Sequence, residues 1–214
     1  MNRSKKIQLW HCYNARSLRP LWTLEEMGIE YQVNMLAFPP RYKEPEFLKV
    51  NPLGTIPFFD DGMSQMTEST AICHYLVEKF PASNLGLKVD DPDYGIYLNC
   101  LYQSDSTYTF PLALILRYRM FERDENKLPI VAESYQKWFF NRIKWIEQVL
   151  IGKRYLCGNK FTIADITIGY SLYLAEIIGL GEHFSDNIKH YLIDLKARDA
   201  FQKATSIGQE YDWL

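Results

Sequence analysis

The sequence of 214 residues predicts a chain in two parts, an α/β part followed by an all-α part. Strand-like and helix-like patterns alternate in the first part, and Asp61-Gly62 is a strong hairpin signal there. Beyond Pro92 the periodicity is helical only, with no pair of alternating strands. We therefore expect one domain over residues 1–81, a linker over residues 82–91 and a helical domain over residues 92–214.

The first part has the predicted element order βαβ, loop, ββα. Gly28 is a typical helix terminator, and it fixes the end of the first predicted helix. The predicted ranges are a strand at residues 7–10, a helix at 17–27, a strand at 31–36, a short strand at Phe58-Phe59, another after Asp61-Gly62, and a helix through Lys79. This order is that of a thioredoxin-like domain.

The second part is predicted as a helical bundle. Thr162 and Asp165 form a capping box, which makes the helix over residues 163–178 the best specified one. The other predicted helices cover residues 94–119, with a bend near Pro111, residues 128–150, and residues 188–206.

Composition excludes several classes of protein. With 47% hydrophobic residues, 23% charged residues and a net charge of −2, the chain has no basic excess for nucleic acid or for an anionic membrane. No apolar run reaches the length of a membrane span, and the first six residues are too short and polar for a signal peptide. The four cysteines are far apart and lack metal-ligand spacing, so we expect reduced thiols, no bound metal and a cytoplasmic protein.

Two features of the first part predict a ligand site. Glu68-Ser69 stands where a helix begins, and unpaired N–H groups together with the helix dipole favour an anion there. Ile56-Pro57 stands before the adjacent strand, and a cis Pro57 would turn the backbone of Ile56 outwards to pair with an extended peptide. A ligand with a peptide-like arm and an amino-acid carboxylate would fit both features.

The motifs of this region carry a family resemblance. The run Asn51-Pro52-Leu53-Gly54-Thr55-Ile56-Pro57, followed by Asp61-Gly62 and Glu68-Ser69-Thr70-Ala71-Ile72, resembles the glutathione-binding core of the cytosolic glutathione transferases, in a bacterial-type form similar to the phi, theta and beta classes. The resemblance implies a detoxifying transferase that conjugates the thiol of glutathione, its co-substrate, to small electrophiles. It also implies a homodimer.

The same resemblance assigns the glutathione contacts. Glu68 and Ser69 would hold the γ-glutamyl group, and the backbone of Ile56, before Pro57, would pair with the cysteinyl part. Lys43 would approach the glycyl carboxylate, and Thr55 takes a place that glutamine often holds in the family.

The group that activates the thiol is ambiguous. Ala15 takes the place of the catalytic serine, Arg16 takes that of the beta-class cysteine, and Cys12 takes that of the omega-class cysteine. The remaining donors are Asn14, Arg16 and Ser17, which we expect to act with the helix start. Ser17 is also an ordinary helix N-cap, and Asn14 an ordinary turn residue.

The resemblance puts the electrophile between the two domains, against the first long helix of the second. Candidates are Tyr102, Ser106 and Arg117, although aromatic residues on a helix usually belong to a core. Two alternatives to a conjugating enzyme stay open. One is a glutathione-dependent disulfide exchange enzyme that uses Cys12. The other is a non-catalytic binding protein, which is supported by alanine at position 15 in place of the serine.

Overall fold

The computed structural model describes residues 6–213, and within them the packing divides the chain into two compact units. The first unit contains the residues up to Gly86 together with those from Lys196 onwards, and the second contains Leu87–Leu195. The C-terminal segment therefore packs with the N-terminal elements.

The first unit is built on a four-stranded mixed sheet. Its strands are β1 (Ile7–His11), β2 (Tyr31–Met35), β3 (Phe58–Asp60) and β4 (Gln65–Met66), in the spatial order β2-β1-β3-β4. β1 pairs with β2 in parallel, whereas β1 with β3 and β3 with β4 are antiparallel. This is the predicted βαβ-ββα arrangement, so the thioredoxin-like fold is confirmed.

Three helices belong to the N-terminal part of this unit. They are α1 (Leu18–Met27), the short α2 (Pro40–Lys43) and α3 (Ser69–Lys79). Gly28 caps α1 with φ 62°, the left-handed conformation that glycine adopts without steric cost. The unit's core joins the sheet to the helices through fully buried apolar side chains, among them Leu9, Leu21, Trp22, Phe59 and Ile72.

The second unit is helical, as predicted. Its helices are α4 (Tyr94–Gln103), α5 (Phe110–Leu116), α6 (Pro129–Val149), α7 (Ile163–Ala175) and α8 (Asp186–Lys196), which ends on the first residue of the other unit. The segment around Pro111 is not a regular α-helix. A π-helical turn at Ser104–Thr109 runs directly into α5, of which Pro111 is the second residue, so the hydrogen-bonding pattern is already altered just before the proline.

The capping box of α7 is confirmed. The Thr162 hydroxyl accepts from the Ala164 N–H at 3.2 Å, and Asp165 Oδ2 accepts from the Thr162 N–H at 2.9 Å. The segment Ile163–His183 has the length and apolarity of a membrane span, yet 78% of its most apolar window is buried inside the protein. That burial is typical of a core helix.

The predicted helix over residues 188–206 is in fact two helices, α8 and α9 (Asp199–Ser206), because Arg198 adopts an extended conformation between them. Helix α9 packs on α1. The Arg198 guanidinium forms a bidentate ion pair with Glu26, at 2.6 and 2.8 Å, and Phe201 meets Trp22 edge to face with ring centroids 4.9 Å apart. These contacts attach the C-terminal segment to the sheet unit.

Candidate functional site

The turn between β1 and α1 holds the candidate thiol-activating residues. Within this turn, the Ala15 N–H donates to the Cys12 carbonyl at 3.1 Å, and Asn14 adopts the left-handed conformation with φ 55°. Asparagine is one of the few residues that enter that conformation readily. Asn14 is largely buried, and its Nδ2 donates to Oδ1 of Asp212 at 3.5 Å.

Ser17 does not cap α1, contrary to its ordinary role. Its side chain makes no capping hydrogen bond, and its Oγ lies 2.7 Å from Nδ1 of His11 and accepts from the Cys12 N–H at 3.3 Å. The residue is fully buried. The hydroxyl therefore ties the end of β1 to the start of α1.

Burial decides the ionisation of the two residues before the turn. It lowers the pKa of His11 to about 3, so the ring is neutral at physiological pH. Burial, and then the nearby charge of Glu44, raises the pKa of the Cys12 thiol to about 12. At neutral pH Cys12 is therefore a protonated and inaccessible thiol. Since only the thiolate is a good nucleophile, Cys12 is unreactive in this state.

The structure gives a physical reason for alanine at position 15. Its methyl group belongs to a buried apolar cluster with Cys12, Phe47, Ile56 and Phe58. A hydroxyl at this position would enter the cluster and require a new hydrogen-bond partner. Arg16, in contrast, is exposed on the outer side of the turn.

The Ile56-Pro57 peptide is cis, which is the form that the sequence analysis considered for pairing with an extended peptide. The ladder of β3 with β1 covers Phe58–Asp60 and stops short of Ile56. The loop before it is held by the buried Asn51, whose Nδ2 donates to the Thr55 carbonyl at 2.8 Å. Gly54 in this loop is required, because a Cβ there would lie 2.8 Å from the Cβ of Arg41 in a backbone with φ 60°.

The start of α3 contains Glu68 and Ser69. Glu68 is the N-cap residue, yet its carboxylate makes no capping hydrogen bond and is exposed. Ser69 is buried, and its Oγ accepts a hydrogen bond of 2.9 Å from the guanidinium of Arg19, which is fully buried on α1. A permanent positive charge thus stands behind the N-terminus of α3, where it strengthens the attraction for an anion.

The other predicted contact residues occupy the same unit. Lys43 is exposed at the end of α2. Thr55 is half-buried immediately before Ile56, and its hydroxyl lies 3.5 Å from the Asn51 amide.

The predicted electrophile residues lie in the second unit. Tyr102 is exposed on α4, and the Ser106 hydroxyl donates to its carbonyl at 2.9 Å. Arg117 begins a π-helical turn and pairs with Glu122 at 2.6 Å.

Three residues of the first unit escaped the sequence interpretation. The sequence assigned no functional role to Arg19, although its guanidinium binds Ser69. Asp212 and Trp213 contact the Asn14 turn from the other end of the chain. A polar residue followed by tryptophan at a chain end gives no local signal, so only the fold reveals these contacts. Among the described residues, no cluster of histidine, cysteine and carboxylate side chains has the geometry of a metal site.

A thioredoxin-like unit with a cis-proline edge and a polar helix start, followed by a helical unit, is the architecture of a glutathione-transferase-type protein. The family model of the glutathione S-transferase N-terminal domain matches residues 5–78. Glutathione S-transferase 3 of Schizosaccharomyces pombe is 26% identical over 208 residues, which cover 91% of this chain and 84% of that protein.

Solved structures share the whole fold. Glutathione transferase URE2P8 from Phanerochaete chrysosporium, solved with oxidised glutathione, superposes with a TM-score of 0.83 at 19% identity, covering 98% of both chains. A sphingomonad glutathione S-transferase complexed with glutathione gives a TM-score of 0.81 at 23% identity, covering 94% of this chain and 98% of that one. The N-terminal part of the chain therefore matches the glutathione S-transferase family model, and the whole chain is similar to glutathione transferases in sequence and fold, as its motifs predicted.

Proposed function

We propose that the protein conjugates the thiol of glutathione to small electrophiles. The observation that supports this most is the pairing of the buried Arg19 with Ser69 at the start of α3. It creates a positive environment, in the same unit as the Ile56-Pro57 edge, for the carboxylate of an amino-acid-like group. Structures of family members solved with glutathione or oxidised glutathione support the choice of ligand.

The glutathione contacts follow from these features. The Ser69 N–H and hydroxyl bind the γ-glutamyl carboxylate, and the exposed carboxylate of Glu68 receives its ammonium group. The Ile56 backbone, within the loop that ends at Pro57, pairs with the cysteinyl residue. Lys43 attracts the glycyl carboxylate from the surface, which is a weaker, solvent-screened contact.

Thiol activation belongs to Asn14 and Arg16 in this proposal. Lowering a thiol pKa by two units requires about 2.7 kcal/mol of preference for the thiolate. One hydrogen bond from the Asn14 amide, added to the charge of Arg16 and the start of α1, is of that order. Ser17 supports the turn, since its buried oxygen is already engaged with His11 and Cys12.

The electrophile is assigned to the second unit. Tyr102 offers an exposed aromatic face, and Ser106 offers a hydroxyl one helical turn further on. The positive charge of Arg117 is partly neutralised by the ion pair with Glu122, so this residue favours an anionic electrophile only weakly. The wider role that we assign is detoxification in the cytoplasm by a homodimer, without a metal, a nucleic acid or a membrane as partner.

The disulfide exchange alternative is disfavoured by the state of Cys12. A buried thiol with a pKa near 12 forms almost no thiolate at neutral pH. A non-catalytic binding role keeps one supporting observation, namely Ala15 within the apolar cluster where family members carry serine.

A calorimetric titration with glutathione between about pH 6 and pH 9, combined with the ultraviolet thiolate band of the bound thiol, tests the proposal. Binding with thiolate formed below the free thiol's pKa of about 8.5 is the expected result. The Glu68→Gln variant is expected to weaken binding about tenfold, whereas Glu78→Gln, at an exposed position later on α3, leaves it unchanged. Binding with an unshifted thiol would support the carrier role, and absence of binding would overturn the glutathione site.

A further inference from the structure

The C-terminal segment ends on the turn that we assign to thiol activation. The Trp213 indole Nε1–H donates to the Tyr13 carbonyl at 2.5 Å, and its ring stacks on Phe38 with centroids 4.6 Å apart and planes 27° apart. Asp212, the preceding residue, accepts from the Asn14 amide. Two adjacent residues thus hold both residues at the tip of the turn.

The path to this contact is anchored. Helix α9 is tied to α1 by the bidentate pair of Arg198 with Glu26 and by the packing of Phe201 on Trp22. The chain then turns at Gly208, whose φ of 81° favours glycine, before it reaches Asp212. Because the segment is fixed at its start, its last residues meet the turn in a defined position.

The contacts bear on the geometry of a hydrogen bond to sulfur. Asn14 sits in a left-handed conformation with few sterically allowed alternatives, and the indole hydrogen bond restrains the peptide group just before it. The carboxylate of Asp212 accepts from the Asn14 amide at 3.5 Å, which favours the orientation in which the amide nitrogen faces Asp212. A donor that is already oriented loses little entropy when it meets the thiolate.

We propose, on the basis of the function proposed above, that Asp212 and Trp213 are positioning residues for thiol activation, because they hold the Tyr13-Asn14 turn so that the Asn14 amide donates to the glutathione sulfur. Neither residue touches the reacting atoms in this assignment. The carboxylate of Asp212 has an opposing effect as well, since a negative charge near the sulfur disfavours the thiolate. Burial raises the pKa of Tyr13, and the charge of Asp212 raises it further.

Three variants of the full chain test the proposal through the pKa of bound glutathione. Trp213→Phe keeps the stacked ring and removes the N–H, and Asp212→Ala removes the acceptor. Both are expected to raise that pKa by about half a unit to one unit, which is about a three- to tenfold loss of thiolate at a pH well below the wild-type value. Asp212→Asn retains an acceptor oxygen without the charge, so in this variant the pKa of bound glutathione should equal the wild-type value or lie below it.

The pH profile separates positioning from a merely structural role. The kcat/KM of Trp213→Phe should fall three- to tenfold at low pH and converge with wild type once the thiol is fully ionised. Glu210→Gln, an exposed neighbour in the same segment, is the matched control and should leave the profile unchanged. A loss that is equal at all pH values with an unshifted thiol pKa, or profiles identical to wild type, would overturn the proposal.

Hydrogen exchange in the ligand-free protein separates this inference from the proposed function. Trp213→Phe should accelerate exchange of the amides of Asn14 and Ala15, while Glu210→Gln should not. If the wild-type protein binds no glutathione, the proposed function fails and the sulfur assignment fails with it. If the wild type activates glutathione but the variants have wild-type amide exchange rates and a wild-type thiol pKa, the positioning roles of Asp212 and Trp213 are wrong and the proposed function stands.

Discussion

At the scale of single residues, the turn after β1 combines conformational restraint with a polar side chain. Asn14 has a left-handed backbone that most residues avoid, and its amide reaches Asp212 across the unit. Such a conformation is commonly found where a side chain must be presented in one orientation. The turn is therefore the place where small changes should alter reactivity most.

The first prediction concerns Asn14. Asn14→Ala should raise the pKa of bound glutathione by about one unit and lower kcat/KM about tenfold at a pH well below the wild-type pKa, because the sulfur loses a donor. The alanine also incurs a left-handed backbone cost of about 1 kcal/mol. Asn84→Ala, at another left-handed asparagine with φ 57°, is the control for that cost and should lower thermal stability without changing the thiol.

The second prediction concerns Cys12. Cys12→Ala should keep glutathione conjugation within about twofold of wild type, because the thiol is buried and protonated. Its free energy of unfolding should fall by about 1 kcal/mol through lost packing. A conjugation or disulfide exchange activity that disappears in this variant, with the protein still folded, would restore the redox alternative.

At the scale of secondary-structure elements, two local motifs each place several hydrogen-bond donors around one carboxylate. The first is the capping box of α7, whose Asp165 also accepts from the Leu156 N–H and from the Tyr191 hydroxyl. Burial raises the pKa of Asp165 to about 6, although these hydrogen bonds act in the opposite direction. One carboxylate thus satisfies donors from three parts of the second unit.

Removing the box should cost measurable stability. Thr162→Ala is expected to lower the free energy of unfolding by about 1 kcal/mol, and Asp165→Ala by about 3 kcal/mol or more, because several buried donors lose their acceptor. Asp186→Ala, at an exposed residue in the first turn of α8, should change it by less than about 0.5 kcal/mol. Urea denaturation of the three variants measures the difference, and equal losses would contradict this ranking.

The second motif is the hairpin turn at Asp61. Burial favours the neutral acid there, but the Lys79 ion pair, the Met63 and Ser64 N–H groups and the Tyr75 hydroxyl together lower its pKa to about 2. Because the folded-state pKa lies below the unfolded value, this group stabilises the fold above about pH 4. That stabilisation is lost as the pH falls towards 2.

Asp61→Asn should therefore flatten the acid limb of the stability curve. The wild type is expected to lose about 2 kcal/mol between about pH 5 and pH 2 through this group, and the variant should lack that component. Asp90→Asn, at an exposed position, serves as the reference and should follow the wild-type curve. Urea unfolding at a series of pH values provides the measurement, and parallel curves for wild type and Asp61→Asn would contradict the assignment.

Local sequence signals predicted most elements correctly, whereas contacts between distant residues stayed hidden. Gly28, the Thr162 box and the Asp61-Gly62 turn act within a few residues, so their patterns are visible in the sequence. The Arg19 contact with Ser69 spans 50 residues, and the Trp213 contact with Tyr13 spans 200. Pairing at such separation depends on packing of the whole unit.

At the scale of the whole molecule, the domain limits at residues 1–81 and 92–214 stay a prediction about independent folding. By packing, residues 196–213 complete the unit that begins in the sheet. A large apolar side chain, Met63, is 85% exposed on that unit, next to the hairpin turn. This side chain is a candidate for the interface of the predicted homodimer, where its burial would stabilise association.

The predicted homodimer supplies the last test. Sedimentation should give about twice the chain mass of 25.2 kDa. Met63→Asp should weaken association at least tenfold if this side chain enters the interface, since a buried unpaired carboxylate is costly. Ile151→Asp, at an exposed isoleucine after α6, is the control. A monomeric wild type would contradict the dimer, and equal association of both variants would exclude Met63 from the interface.

The split of the first unit between the two ends of the chain has a consequence for biosynthesis. A ribosome releases the sheet and α1–α3 long before it releases α9, with the whole second unit emerging in between. Until then Trp22 lacks its partner Phe201, and the Tyr13 carbonyl lacks the Trp213 indole. The Tyr13-Asn14 turn therefore acquires its contacts with Asp212 and Trp213 only after the whole second unit has been synthesised, so the first unit stays incomplete until then.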